Sequence, residues 1–180
     1  MIPSSTGVSL ESKHESLKQK VERAIGGQFV EWLNRATGKA FQFERTGADP
    51  PDLVYRDGHK TLPIEVATSY YHEEDAIMRW KHARKDSTAP MKWSKPLEEP
   101  DQRLITDINQ RIVEKCLGTH DVGTVLVIEV YPAITTKTEF EKLKSSIAIP
   151  NSVPFAAIYV AGSFPHGGDG PSGYFCWKVS

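Results

Sequence analysis

Two carboxylates on either side of a tight turn give this chain its clearest capacity for chemistry. They are Asp52 and Glu65, in the stretch Pro51-Asp52-Leu53-Val54-Tyr55-Arg56-Asp57-Gly58-His59-Lys60-Thr61-Leu62-Pro63-Ile64-Glu65-Val66-Ala67. Apolar residues recur on both sides of Asp57-Gly58, and that dipeptide signals a two-residue hairpin loop of type I′, whose central positions both need positive φ. With Asp57 and Gly58 as the loop, Arg56 faces His59, Asp52 falls opposite Pro63, and Glu65 is its diagonal neighbour. Period two then puts Asp52, Val54, Thr61, Glu65 and Ala67 on one face and Leu53, Tyr55, Leu62, Ile64 and Val66 on the more apolar other. The carboxylates are expected to point away from the oily side. Diagonal cross-strand side chains start roughly 7–8 Å apart, so two carboxylates leaning together could hold one divalent cation. A three-residue loop would reverse the parity and part them.

A Pro-Asp opening one strand and an Ile-Glu-Val in the next resembles the PD-(D/E)XK nuclease superfamily, over about Glu15 to Tyr131. The resemblance implies a restriction-endonuclease-like α-β-β-β-α-β core in a single α/β domain, with a mixed central sheet flanked by helices. It implies Mg²⁺ or Mn²⁺ held by Asp52, Glu65 and the carbonyl of Val66, binding a scissile phosphate and activating a water. It also implies a catalytic set of Glu22, Asp52 and Glu65, since several such families carry a glutamate on the first helix. On a helical wheel Glu22 falls among Ile25, Phe29 and Leu33, inside the apolar face, while Glu31 lies opposite. Glu22 at the edge of that stripe, snorkelling outward, is the alternative. The motif is degenerate: its lysine, two residues past the glutamate, is Ala67 here. Lys115, on the apolar side of its helix, and Lys81 are candidate replacements. The expected activity is metal-dependent hydrolysis of DNA or RNA phosphodiesters; the alternative is a catalytically inactive nuclease-like domain that binds nucleic acid or protein.

The elements that must position these residues are legible from periodicity. Leu17, Val21, Ile25, Phe29, Trp32, Leu33 and Ala36 recur every three or four positions and predict a helix from Glu15 to Arg35, stopped by Gly38. Gly26-Gly27 in its middle implies close backbone packing or a bend. A strand near Ala40 to Arg45 and the hairpin follow. His72 to Lys81 opens with acids and ends with bases, as a helix dipole prefers, and Arg84 to Pro100 reads as a long loop. Asp101 to Leu117 is helical. Val125-Leu126-Val127-Ile128 within Gly123 to Tyr131 suits a strand buried on both faces in mid-sheet. Thr136 to Ile147 is a helix with a capping box from Thr136 to Glu139, and Phe155 to Ala161 and Gly173 to Val179 are strands.

Arg79, Lys81, Arg84, Lys85, Lys92 and Lys95 face one acid, Asp86, in a chain of net charge -1. With Trp80 and Trp93 this run could grip phosphates and stack a base, so a nucleic-acid partner is expected there; a solvated linker is the plainer alternative. At 180 residues and 39% hydrophobic the chain is one domain's worth with an ordinary core. Residues 1–13 are expected to be a flexible tail and 14–180 the domain. No basic-then-apolar start and no membrane-length apolar run is present, which suggests a cytoplasmic protein without a membrane partner. A homodimer or a partner protein is left open. Cys116 and Cys176 lack zinc or disulfide spacing. The Gly-rich Ser163 to Gly173 lacks the Gly-Lys-Ser/Thr of a P-loop, and no Gly-X-Ser-X-Gly elbow exists.

Overall fold

The computed structural model describes residues 16–48, 50–70, 99–131, 135–165 and 173–180. Its elements are α1 (Leu17–Thr37), β1 (Gln42–Thr46), β2 (Leu53–Asp57), β3 (Lys60–Ser69), α2 (Pro100–Cys116), β4 (Val125–Val130), α3 (Lys137–Leu143) continued by a 3₁₀ turn (Lys144–Ser146), β5 (Ala157–Phe164) and β6 (Gly173–Lys178). The six strands form one mixed sheet in chain order. β1, β2 and β3 are antiparallel neighbours, β3, β4 and β5 run parallel, and β6 returns antiparallel. The α/β class with a mixed sheet and flanking helices is thus as expected. The α-β-β-β-α-β order is not the order of the chain, which continues through a further helix and two strands. Among the described residues no helix is long and apolar enough to cross a membrane.

Period decides which faces meet. Ile25, Phe29 and Val30 of α1 lie on Leu53, Tyr55, Ile64, Val66 and Val127 of the sheet. Leu104, Ile108 and Ile112 of α2, with Phe140 of α3, lie on Leu126, Ile128, Ile158 and Phe164 of the opposite face. Each large side chain buried in these layers contributes roughly 1.5–3 kcal/mol. β4 is buried at all six positions, as its apolar run implied. Gly26 lets α1 approach the hairpin: a Cβ there would stand 2.3 Å from Leu53 Cδ1 and 3.3 Å from Tyr55 Oη. Gly26 therefore serves close packing, whereas a Cβ on Gly27 would meet only Tyr55 Oη at 4.0 Å.

Both predicted capping features are real. Gly38 closes α1 in the left-handed region at φ 67°, and Thr136 and Glu139 form the reciprocal box at the start of α3. The strand of Phe155 to Ala161 is displaced, spanning Ala157–Phe164 instead. The expected tail, 1–13, the helix of His72 to Lys81, and nearly all of the Arg84 to Pro100 loop lie outside the described residues. Pro100 itself is helical, at the start of α2.

The hairpin corrects the expected register. Asp57 pairs with Lys60, so the loop is Gly58-His59, and of these two only Gly58 (φ 58°) has positive φ. That is the pattern of a type II′ turn, which wants glycine first. Asp57 stays in the strand, where its carboxylate accepts a hydrogen bond from the Ala40 N–H at 3.3 Å. Moving the loop by one residue preserves parity but changes partners: Val54 faces Pro63 and Leu53 faces Ile64. The ladder stops there, and continuing the same count would set Asp52 opposite Glu65.

Candidate carboxylate site at the edge of strand β3

β3 is ten residues long, but β2 covers only its first half. From Glu65 to Ser69 it is paired with β4 on one side and has lost β2 on the other. Asp52, just before β2, fills the first vacant position with its side chain: Oδ2 accepts the Val66 N–H at 2.8 Å. This satisfies a backbone donor that the ladder has abandoned. Behind it, the Gly47 N–H donates to the Asp52 carbonyl at 2.8 Å. A Cβ on Gly47 would meet the Pro51 carbonyl oxygen at 1.6 Å, so only glycine allows the loop to hold Asp52 there.

The face carrying the carboxylates is not open to water. Glu65 and Ala67 lie against α2 and Asp52 against α1 and the loop before β2, and Asp52 and Glu65 retain only 4% and 3% exposure. Buried charge needs partners, and two lysines supply them. Lys115 of α2 brings Nζ to 2.5 Å from Glu65 Oε1, while Glu65 Oε2 is buried without a hydrogen-bond partner. Lys18 of α1 stands 3.3 Å from Glu22 Oε1 and 3.9 Å from Asp52 Oδ1. The Glu22 side chain is 12% exposed against 71% for Glu31, the contrast the helical wheel implied. Ala67, in the lysine's place, is buried in the layer with α2.

Lys115 and Glu65 are fifty positions apart, so sequence could offer Lys115 only as a candidate. Lys18 was missed altogether; its i,i+4 spacing to Glu22 was the available signal. Lys81 and the basic run Arg79, Lys81, Arg84, Lys85, Lys92 and Lys95 lie outside the described residues.

Among the described residues, two cavities lie against Glu22, the smaller one also against Asp52. A small polar one of about 150 Å³ is bounded by Lys18, Glu22, Thr46, Gly47 and Asp52. A larger cleft of about 530 Å³ opens beside the second half of β3, walled by Val66, Thr68 and Tyr70, by α1 and by Arg111 of α2. Lys18 and Glu22 line both. Arg111 is held by Asp107 at 3.3 Å and Glu114 at 3.0 Å. Hydrogen bonding from Gln110, then the charges of Arg111 and Lys115, keeps the Glu114 carboxyl below its ordinary range. Tyr55, beneath α1, is pushed up to about 12 by burial, against the pull of Arg23.

Among the described residues no three His, Cys, Asp or Glu side chains converge as a metal cage. Magnesium does not require one: it is commonly held by one or two carboxylates with waters and substrate oxygens completing the shell. Asp52 and Glu65, with the unpartnered Glu65 Oε2, are donors of that hard-oxygen kind. Compared with family models, curated proteins and solved structures, the chain matches none.

Proposed function

We propose that this protein is a metal-dependent phosphodiesterase acting on DNA or RNA, of the PD-(D/E)XK kind, with its lysine supplied from α2. The observation that carries this reading is the 2.5 Å contact between Lys115 Nζ and Glu65 Oε1. It brings a cation to the carboxylate at which the motif, having Ala67, lacks one. Asp52, Glu65 and the Val66 carbonyl would hold Mg²⁺ or Mn²⁺, which when bound supplies Lewis-acid stabilisation of the phosphate and a more acidic water. Asp52 is oriented for this by its bond to the Val66 N–H. Lys115 holds Glu65 in place and offsets negative charge as the phosphorane forms, a kind of stabilisation whose loss costs on the order of 10²–10³ in rate. Glu22, half-buried beside Lys18, would accept a proton or orient water from α1.

A second reading has its own observation. Lys18 and Lys115 already neutralise the buried carboxylates, as a structural ion-pair network would in an inactive nuclease-like interaction module. One experiment separates the two. Labelled single- and double-stranded DNA and RNA are incubated with Mg²⁺ or Mn²⁺ and the parent protein, Asp52→Ala or Glu65→Ala. The proposal expects cutting by the parent alone. Cutting that persists in both variants removes this site, and binding without cutting by the parent moves the function to the interaction module.

A further inference from the structure

We propose that the 530 Å³ cleft beside β3 binds one unpaired nucleobase next to the bond being cut, making single-stranded nucleic acid the substrate class. This rests on the phosphodiesterase reading above and adds to it the form of the substrate. Three observations and one general property of duplexes carry it.

The first is size and lining. A cleft of this volume falls inside the roughly 300–1,000 Å³ of ordinary small-ligand sites, and its wall is largely apolar, from Leu17, Val21 and Ile25 of α1 and Val66 of β3. Such a wall suits the flat face of a base, which every base presents irrespective of sequence. The second is position. Lys18 and Glu22 line both this cleft and the small polar cavity that contains Asp52. The two spaces share a wall, as neighbouring sites for a base and its own phosphate must.

The third is the cations. Lys18 stands on one side of the cleft and Arg111 on the other, from different helices. Arg111 lines the cleft with its guanidinium fixed by Asp107 and Glu114, a planar cation of the type that phosphate oxygens pair with. The fourth is accessibility to the base. In a duplex each base face is covered by its neighbours, so a base can lay its face on this wall only when unstacked. A double strand would first have to surrender one.

The test compares fluorescently labelled single strands of DNA and RNA with a blunt duplex of equal length, for binding in Ca²⁺ and cutting in Mg²⁺. The parent is set beside Val21→Trp and Leu17→Trp, each of which fills the cleft from a different turn of α1. Circular dichroism establishes folding, and a calorimetric Mg²⁺ titration separates loss of the cleft from loss of the carboxylate site. The parent should favour single strands over duplex by about tenfold, and each folded variant should lose about tenfold in single-strand affinity, the scale of one base stack. Preference for duplex, or unchanged single-strand affinity in the folded variants, overturns the cleft and leaves the phosphodiesterase reading standing. A parent that neither binds nor cuts any nucleic acid overturns both.

Discussion

Replacing Lys115 with methionine tests the energetics of the site independently of any catalytic role. The substitution keeps most of the aliphatic stem and removes only the ammonium that stands 2.5 Å from Glu65 Oε1. Removing one member of a fully buried pair costs about 3–5 kcal/mol, because the other charge is left uncompensated. Glu65 meets that condition at 3% side-chain exposure, but Lys115 is 31% exposed, so water reaches one end of the pair. A loss of about 2 kcal/mol is the resulting expectation. In a chain of this length that corresponds to a fall of roughly 4–8 °C in the unfolding midpoint. Glu65→Gln keeps the shape and removes the other charge, and the double variant closes a thermodynamic cycle. Because the charge stranded by Lys115→Met is absent in the double variant, the pair should couple by at least about 1 kcal/mol. Urea unfolding of all four proteins at neutral pH reads this directly. Additive effects within about 0.5 kcal/mol, or a Lys115→Met midpoint equal to the parent's, would refute the view that this ion pair supports the buried glutamate.

Three further outcomes are expected. Gly26→Ala should destabilise by about 1 kcal/mol or more through overpacking against the fully buried Leu53, whereas Gly27→Ala, whose Cβ meets only Tyr55 Oη at 4.0 Å, should stabilise by up to about 1 kcal/mol through helix propensity; thermal unfolding distinguishes them. The Thr136 backbone N–H, then its hydroxyl, hold the Glu139 carboxyl below its ordinary range. Its contribution is therefore present above the unfolded carboxylate's pKa and fades as pH falls through the depressed folded value, and Thr136→Ala should both cost about 1 kcal/mol at neutral pH and flatten that acid limb in a pH series of urea melts. Burial pushes the Cys176 thiol up to about 12 and raises Cys116 to a lesser degree, so a thiol reagent at mildly alkaline pH should label Cys116 first, with mass-mapped peptides as the readout; faster labelling of Cys176 would contradict the packing of β6.

What the sequence revealed follows the range of the forces involved. The amphipathic helix, expected over Glu15 to Arg35 and found at Leu17–Thr37, the glycine stop at 38 and the Thr136 box depend on neighbours within a turn or two, and these were legible. Parity of the hairpin was legible too, because a two-residue loop keeps Asp52 and Glu65 on one face whichever dipeptide forms it. The register was misplaced by one because positive φ falls on Gly58 alone while Asp57 is retained in β2 by its bond to Ala40. The fate of the polar face was not legible at all. Only the return of α2, beginning thirty-five positions after Glu65, covers that glutamate and selects Lys115 as its partner. Lys18 went unnoticed for a similar reason: its spacing to Glu22 is commonplace on helices, and its value comes from Asp52, which approaches from the sheet.

The late start of β2 also equips the molecule with its own spectroscopic reporter. A single main-chain proton, that of Val66, is held by the Asp52 carboxylate where a strand partner would otherwise be. Its resonance and its exchange with deuterium must therefore track that carboxylate rather than the integrity of the sheet, since the neighbouring ladder to β4 is intact. Any cation or anion that draws Asp52 away would leave the sheet's other amides unchanged while moving this one. Occupancy of the proposed site can thus be read from one peptide group, with no substitution and no chromophore added.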